Sequence, residues 1–505
     1  MLIAPALEDF APAYENGRPQ LVWTTLVGDL ETPVSAYLKL AEGQANAFLF
    51  ESVEGGAVRG RYSIIGLKPD LLWRSQGGRA EINRSAARDR DAFESADGRP
   101  LETLRALLSE SRIEVPEALP PMAAGVFGYL GYDMVREMEE LGPPNPDALG
   151  VPDAIMMRPT VIVVFDSVKD EITVVTPARP EPGVTAAQAH ARAVDRLTEI
   201  VEGLDRAVPK EAASEVRGLD GYDMTSNTAP AEYEAMVLRA KEYVAAGDIF
   251  QVVLSQRFEA PFDLPAFALY RALRRTNPAP FLIHLDFGSF QIVGSSPEIL
   301  VRSRDGKVTI RPIAGTRPRG ATPAEDKALA AELLADPKER AEHLMLLDLG
   351  RNDVGRVSEI GSGAVTDQFF LERYSHVMHI VSNVEGALAP EHDALDALAA
   401  GFPAGTVSGA PKVRAMEIID ELERDKRGVY AGCVGYFGAN GEMDTCIVLR
   451  TAVVKDGRIF VQAGAGIVAD SSPASEQAEC VNKAKALFRA AEEARRFASG
   501  GRRGQ

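Results

Sequence analysis

Apolar and polar positions alternate in short, glycine-punctuated runs over the first third of the chain. Ala47-Phe48-Leu49-Phe50, Arg61 to Gly66 and Thr160 to Phe165 have the composition of strands. A helical stretch near Leu101 to Leu108 interrupts them. Residues 1–20, rich in Pro and Ala, read as an arm, and 21–175 as an N-terminal region. Over 176–227 Pro, Ala and Glu dominate around a helical pattern near Ala186 to Val201, which reads as a connection. From residue 228 the period lengthens. Tyr233, Met236, Val237, Ala240 and Val244 follow a helical repeat after Thr228-Ala229-Pro230, and Gly247 stops it. Ile249 to Phe258 returns to a strand pattern, and strands then alternate with helices to about residue 490. Val293 to Ser296 leads into Pro297-Glu298, expected to begin a turn or helix. Thr322-Pro323-Ala324-Glu325 has the form of a capping box, and Asp336-Pro337-Lys338-Glu339 repeats it with Asp as the cap. Residues 491–505 read as a tail.

Candidate chemistry concentrates between Phe460 and Leu487. An apolar run ends at Gln462 and is expected to break at Gly464-Ala465-Gly466, where backbone N–H groups can approach an anion. Ser472-Pro473 then opens a helix that carries Glu476 and Glu479 on one face. Gly464 to Ala469 fits the GxGxxA spacing of dinucleotide sites, but Asp470 to Pro473 delay the helix and too little chain remains for a βαβ unit. A second helix, after Asp336, presents Glu339 and Glu342 at the same spacing. Four carboxylates gathered in one cup need compensating positive charge, and magnesium supplies it with oxygen ligands. Taken singly, each group also has a plain structural reading. The paired Glu residues can be solvated helix charges, and Glu339 can close the capping box. Glu298 can offset a helix dipole, His379 can be a satisfied core residue, and Arg450 can end a strand in solvent. Thr406 to Lys412 (TVSGAPK) forms a Gly-bearing turn before a helix, without the Lys-Ser/Thr ending of a P-loop.

Composition narrows the field. The 505 residues carry a formal charge of −18, which argues against nucleic acid and anionic membranes as partners. No apolar run is long enough to span a bilayer, and the N-terminus has acids at Glu8 and Asp9 rather than a basic-then-apolar signal. Cys433, Cys446 and Cys480 form neither a metal-ligand spacing nor a disulfide framework, as expected of a cytoplasmic protein.

Seven motifs together resemble one family. GDIFQVVLSQRF, GSSPEILVR, RPIAGTRPRG, AEHLMLLDLGRNDVGR, FPAGTVSGAPKVRAMEIIDELE, DTCIVLR and QAGAGIVADSSPASE run in order from about Gly247 to Lys485. They resemble the anthranilate synthase component I branch of the chorismate-utilising enzymes. The resemblance implies an α+β fold of two large, mainly antiparallel sheets packed face to face with helices outside. It implies a regulatory N-terminal domain (21–175) and a chorismate-binding catalytic domain (228–490). The implied reaction converts chorismate and ammonia to anthranilate and pyruvate, with Mg2+. Glu342 and Glu479 then correspond to metal ligands, and Glu339 and Glu476 to neighbours acting through water. Gly315, Thr316, Tyr430, Arg450, Gly464, Ala465 and Gly466 correspond to substrate contacts, Glu298 to the general acid and His379 to the histidine of pyruvate elimination.

Sister activities differ at few positions. Where aminodeoxychorismate synthases carry a nucleophilic Lys, this chain has Ala314; where isochorismate and salicylate synthases carry a water-activating Lys, it has Gln251. A catalytically silent tryptophan-sensing partner is a third alternative, opposed by the intact carboxylate set. No glutaminase nucleophile motif is present, so the resemblance implies a separate glutamine amidotransferase subunit and a hetero-oligomer. It also implies tryptophan feedback through Ser52, Pro280, Phe281 and Leu282, in segments where Ala279 and Phe281 each lack a hydroxyl that the family pattern has.

Overall fold

Two long strands, Val58–Gln76 and Ala154–Asp166, run antiparallel along nearly their whole length, and each serves two sheets. The computed structural model that shows this describes every residue except Glu42, 55–57, 210–222, 375–376 and 500–505. Pro69 lies opposite Pro159, the register shifts between Pro69 and Leu71, and Lys68 has φ +51°. Proline has no N–H for a ladder, so pairing changes partners there. Before the bend, Val58–Gln76 pairs with Ala47–Glu54; after it, with Arg79–Asn83. Ala154–Asp166 likewise pairs with Gly125–Leu130 at one end and Glu171–Ala178 at the other.

The first sheet continues from Ala47–Glu54 through Phe281–Asp286, Phe290–Ser296, Thr451–Lys455 and Arg458–Ile467 to Gln251–Pro261. The second continues from Gly125–Leu130 through Cys433–Gly438, Met443–Ile447, Ile299–Arg304 and Lys307–Ile310 to Val377–Ala387. Every pairing is antiparallel. The sheets face one another across an aromatic-rich interior: Phe48 of one stacks on Phe127 of the other at 4.7 Å, and Phe127 on Tyr436 at 5.5 Å. Helices cover the outer faces. The fold is thus the expected α+β sandwich, and residues 21–175 and 228–490 contribute strands to both sheets.

Several local expectations change. Residues 1–20, read as an arm, carry helix Leu7–Glu15, which buries Phe10 and Tyr14, and Phe10 meets His190 of helix Ala186–Leu204 edge-on. Glu298 begins no helix; with Pro297 it forms a two-residue link between strands Phe290–Ser296 and Ile299–Arg304. The last helix, Pro473–Ser499, runs past residue 490 with Ala491 and Ala494 buried, and only the end of the expected tail lies outside the described residues. Among the described residues, no helix is long and apolar enough to cross a membrane.

Candidate active site

Helix Pro337–Gly355 starts as its sequence requires, with the Asp336 carboxylate accepting from the N–H groups of Lys338 and Glu339 at 2.9 and 3.3 Å. Glu339 does not close a capping box. It turns to Arg317, which donates over 2.8 Å and also holds Asp336 at 2.7 Å. Thr322 caps its own helix through the Glu325 N–H, while Glu325 accepts from Ala321 rather than closing the box. One turn beyond Glu339, Glu342 is half-buried and has no hydrogen bond or ion pair among the described residues. Glu476 and Glu479 stand on helix Pro473–Ser499, where Lys483 pairs with Glu479 at 2.7 Å. Lys338 meets Asp470 at 3.0 Å and ties the two helix starts together.

All four of these glutamates line one cavity of about 1020 Å³. Its wall also includes Glu298, Gly315, Thr316, His379, Tyr430, Arg450, Gly464 and Gly466. Ala465 is the exception among the expected contacts: it alternates to the other face of its strand and is buried in the core. Burial, then the charges of Glu339 and Glu479, push the Glu342 carboxyl upward. Glu476 is raised by burial and by Glu479. As placed, no three Asp, Glu, His or Cys side chains among the described residues close on a common point. The donor chemistry fits a hard cation all the same, because the set is all carboxylate oxygen and Glu342 makes no ion pair among the described residues, although the charges of Lys338 and Lys483 act on it from a distance.

The Gly-Ala-Gly segment is not a break. It lies inside strand Arg458–Ile467, with Gly464 opposite Ser255 and Gly466 opposite Val253. The Gly464 carbonyl points to Lys483 Nζ at 2.9 Å, away from the paired strand, so the N–H groups of Gly464 and Gly466 face that same side. Pairing to Thr451–Lys455 ends at Val461, which leaves that edge uncovered by strand. A Cβ on Gly466 would sit 2.4 Å from Gln251 Nε2, and one on Gly464 2.8 Å from the Leu254 carbonyl oxygen. Glycine is needed for close packing here, where extended backbone rather than a turn presents the donors.

Opposite the carboxylates stands a second group of residues. Gly315, at φ +83°, makes a bulge in strand Ile313–Pro318. The bulge brings the Gly315 carbonyl to 3.3 Å and Thr316 Oγ1 to 3.0 Å from His379 Nδ1. Burial, with the Arg450 charge, holds the His379 imidazole down at about 4, so it is neutral. Glu298 is 4 % exposed, and burial pushes its carboxyl up to about 8. Arg450 is held at φ +48° between two strands and has no ion pair among the described residues. A half-buried guanidinium without a counter-charge is suited to a carboxylate ligand. Lys412, at the end of the TVSGAPK turn, is buried against Asp353 at 2.9 Å and is no anion-binding group.

A second cavity, of about 780 Å³, lies beside the first. Ser52, Pro280, Phe281 and Leu282 line it together with Tyr436 and Glu51, and Ser52 stands opposite Phe281 across paired strands. Pro297 and Ile313 belong to the walls of both cavities. Sequence reasoning missed Arg317, Lys483, Thr406 and Tyr374, whose ring meets the His379 imidazole edge-on at 5.4 Å. Arg317 lies within RPRG and Thr406 within TVSGAPK, but nothing in the spacing tells which carboxylate each meets.

The description chorismate binding enzyme fits residues 68–489. The chain is 60 % identical to anthranilate synthase component 1 of Cereibacter sphaeroides over 98 % of both chains. It is 50 % identical to that of Pseudomonas putida over 92 % of this chain and 93 % of the other. Its fold matches anthranilate synthase component I from Streptococcus pneumoniae at TM-score 0.75 and 39 % identity, covering 92 % of this chain and 98 % of that one. A menaquinone-specific isochorismate synthase from Escherichia coli shares the fold at TM-score 0.69 and 19 % identity, over 95 % and 99 % of the two chains.

Proposed function

The chain belongs to the chorismate-binding enzyme family, and we propose that it makes anthranilate and pyruvate from chorismate and ammonia. The observation that carries this reading is the one cavity in which an arginine with no ion pair among the described residues and a buried, protonated glutamate face a set of carboxylates. Chorismate bears two carboxylates. Arg450 and the N–H groups of Gly464 and Gly466 are suited to the pyruvyl carboxylate. Glu342 and Glu479, with Glu339 and Glu476 through water, would hold Mg2+. The ion, when bound, supplies positive charge for the ring carboxylate.

Ammonia adds at ring C2 as the double bonds shift and the C4 hydroxyl departs. Hydroxide is a poor leaving group, so the proton that Glu298 keeps near neutral pH lets it leave as water. In the second step the ring loses its C2 proton and the C3 enolpyruvyl oxygen leaves, which ends in aromatic anthranilate and pyruvate. His379 suits the base of that step. It is neutral, and donation from Nδ1 to the Gly315 carbonyl leaves Nε2 as the acceptor.

Ala314 and Gln251 both lie on the cavity wall, where neither can act as the nucleophilic or basic lysine of the sister reactions. A separate glutamine amidotransferase subunit supplies the ammonia. Tryptophan inhibits from the second cavity, through the wall at Pro297 and Ile313. Chorismate incubated with ammonium salt above neutral pH, with and without magnesium, tests the reading. Magnesium-dependent anthranilate fluorescence is expected. Isochorismate or 4-amino-4-deoxychorismate as the product would overturn it.

A further inference from the structure

Among the described residues, Glu298 has one side-chain hydrogen-bond partner: the Thr406 hydroxyl donates to Oε1 over 2.8 Å. Thr406 sits in the short turn Gly405–Val407, and that turn is fixed from three sides. Arg427, itself locked in a buried ion pair with Glu423, donates to the Val407 carbonyl at 2.6 Å. Ser408 Oγ donates to the Ala404 carbonyl at 2.8 Å. Lys412 holds the Gly401 carbonyl at 3.2 Å while paired with Asp353 on the acidic helix. A Cβ on Gly405 would lie 2.4 Å from Leu349 Cδ2, so the turn also presses on that helix. The hydroxyl is therefore mounted rigidly, at a place where one oxygen of a buried carboxyl ends.

We propose that Thr406 is a positioning residue that determines which oxygen of Glu298 carries the transferable proton. A carboxyl oxygen that accepts a hydroxyl hydrogen is the carbonyl end of the group, so the proton is confined to Oε2. With Oε1 unoccupied, the proton would be shared between both oxygens, and only one of the two arrangements suits a leaving group at a fixed position. The same bond favours the ionised form. Burial opposes that form most strongly, the Ile313 N–H and the Arg450 charge favour it too, and Tyr374 and neutral His379 are the other titratable groups beside the site. The inference rests on Glu298 being the proton donor of the proposed reaction.

Thr406→Val keeps the shape and removes the donor, and Thr406→Ser restores the donor without the methyl. The full-length protein is followed by infrared difference spectroscopy from about pH 6 to about pH 10, with Glu298→Gln as the blank that isolates one carboxyl band. In Thr406→Val the C=O band is expected at higher wavenumber with its titration midpoint displaced upward. At saturating free ammonia kcat is expected to fall roughly tenfold with little change in the KM for chorismate. Thr406→Ser is expected to match the parent in all three. An unmoved band and midpoint in Thr406→Val, an undiminished kcat, or equal loss in both variants each overturns the inference. The infrared reading does not depend on turnover, so absence of anthranilate from the parent protein would reject the proposed reaction separately.

Discussion

At the residue scale, burial decides what the titratable groups do. Glu298 titrates ordinarily near 4.5, and burial raises it to about 8, so the acid form persists where an exposed glutamate is ionised. Glu298→Gln is expected to lower kcat by about 10²- to 10⁴-fold while circular dichroism stays unchanged. In the parent, turnover per free ammonia is expected to decline as pH rises through about 8. The same shift bears on stability. The native state keeps a proton that the unfolded chain releases above 4.5, so this contribution is whole below that pH and gone once pH passes about 8. The variant is therefore expected to lose less melting temperature than the parent across that window. The charged and glycine residues of this site were legible in the motifs. Their partners were not, because a hydrogen bond such as Thr406 to Glu298 joins positions 108 residues apart and no local spacing encodes it.

At the element scale, helix starts were read correctly where Pro and an acceptor side chain coincide, as at Asp336-Pro337. The fates of the next residues were not, since Arg317 draws Glu339 away from the cap it would otherwise close. Taken alone, the two glycines of Gly464-Ala465-Gly466 suggest a break that frees backbone N–H groups. Pairing with Val253 to Ser255 overrides that preference. The acidic helices make a sharper prediction. The carboxyl of Glu342 is pushed up by burial and by Glu339 and Glu479, so it destabilises the metal-free protein. Glu342→Gln is expected to raise the melting temperature in chelator-treated buffer while it abolishes magnesium-dependent turnover. A lower melting temperature would mean that the carboxylates are not crowded. Lys412→Met, in contrast, leaves Asp353 buried without its partner and is expected to cost about 3–5 kcal/mol in denaturant unfolding.

At the scale of the whole molecule, the sandwich was foreseen through family resemblance rather than through periodicity. Strand patterns fix which segments are extended, but not that Pro69 and Pro159 meet and hand two strands from one sheet to the other. That exchange is why the division at residues 176–227 is not a division of the sheets. It also places the second cavity one wall away from the first, at Pro297 and Ile313. Under the proposed tryptophan feedback, Ser52→Tyr, which puts a ring into the second cavity, is expected to relieve inhibition tenfold or more and to leave uninhibited turnover nearly unchanged. The proposed reaction has two helices, far apart in the chain, share one divalent ion inside the larger cavity. Manganese titration followed by electron paramagnetic resonance tests this most directly, with the parent, Glu342→Gln and Glu479→Gln compared with and without chorismate. One ion per chain is expected, bound more tightly with chorismate and about 10- to 100-fold more weakly in either variant. Binding that is indifferent to both substitutions would contradict the account.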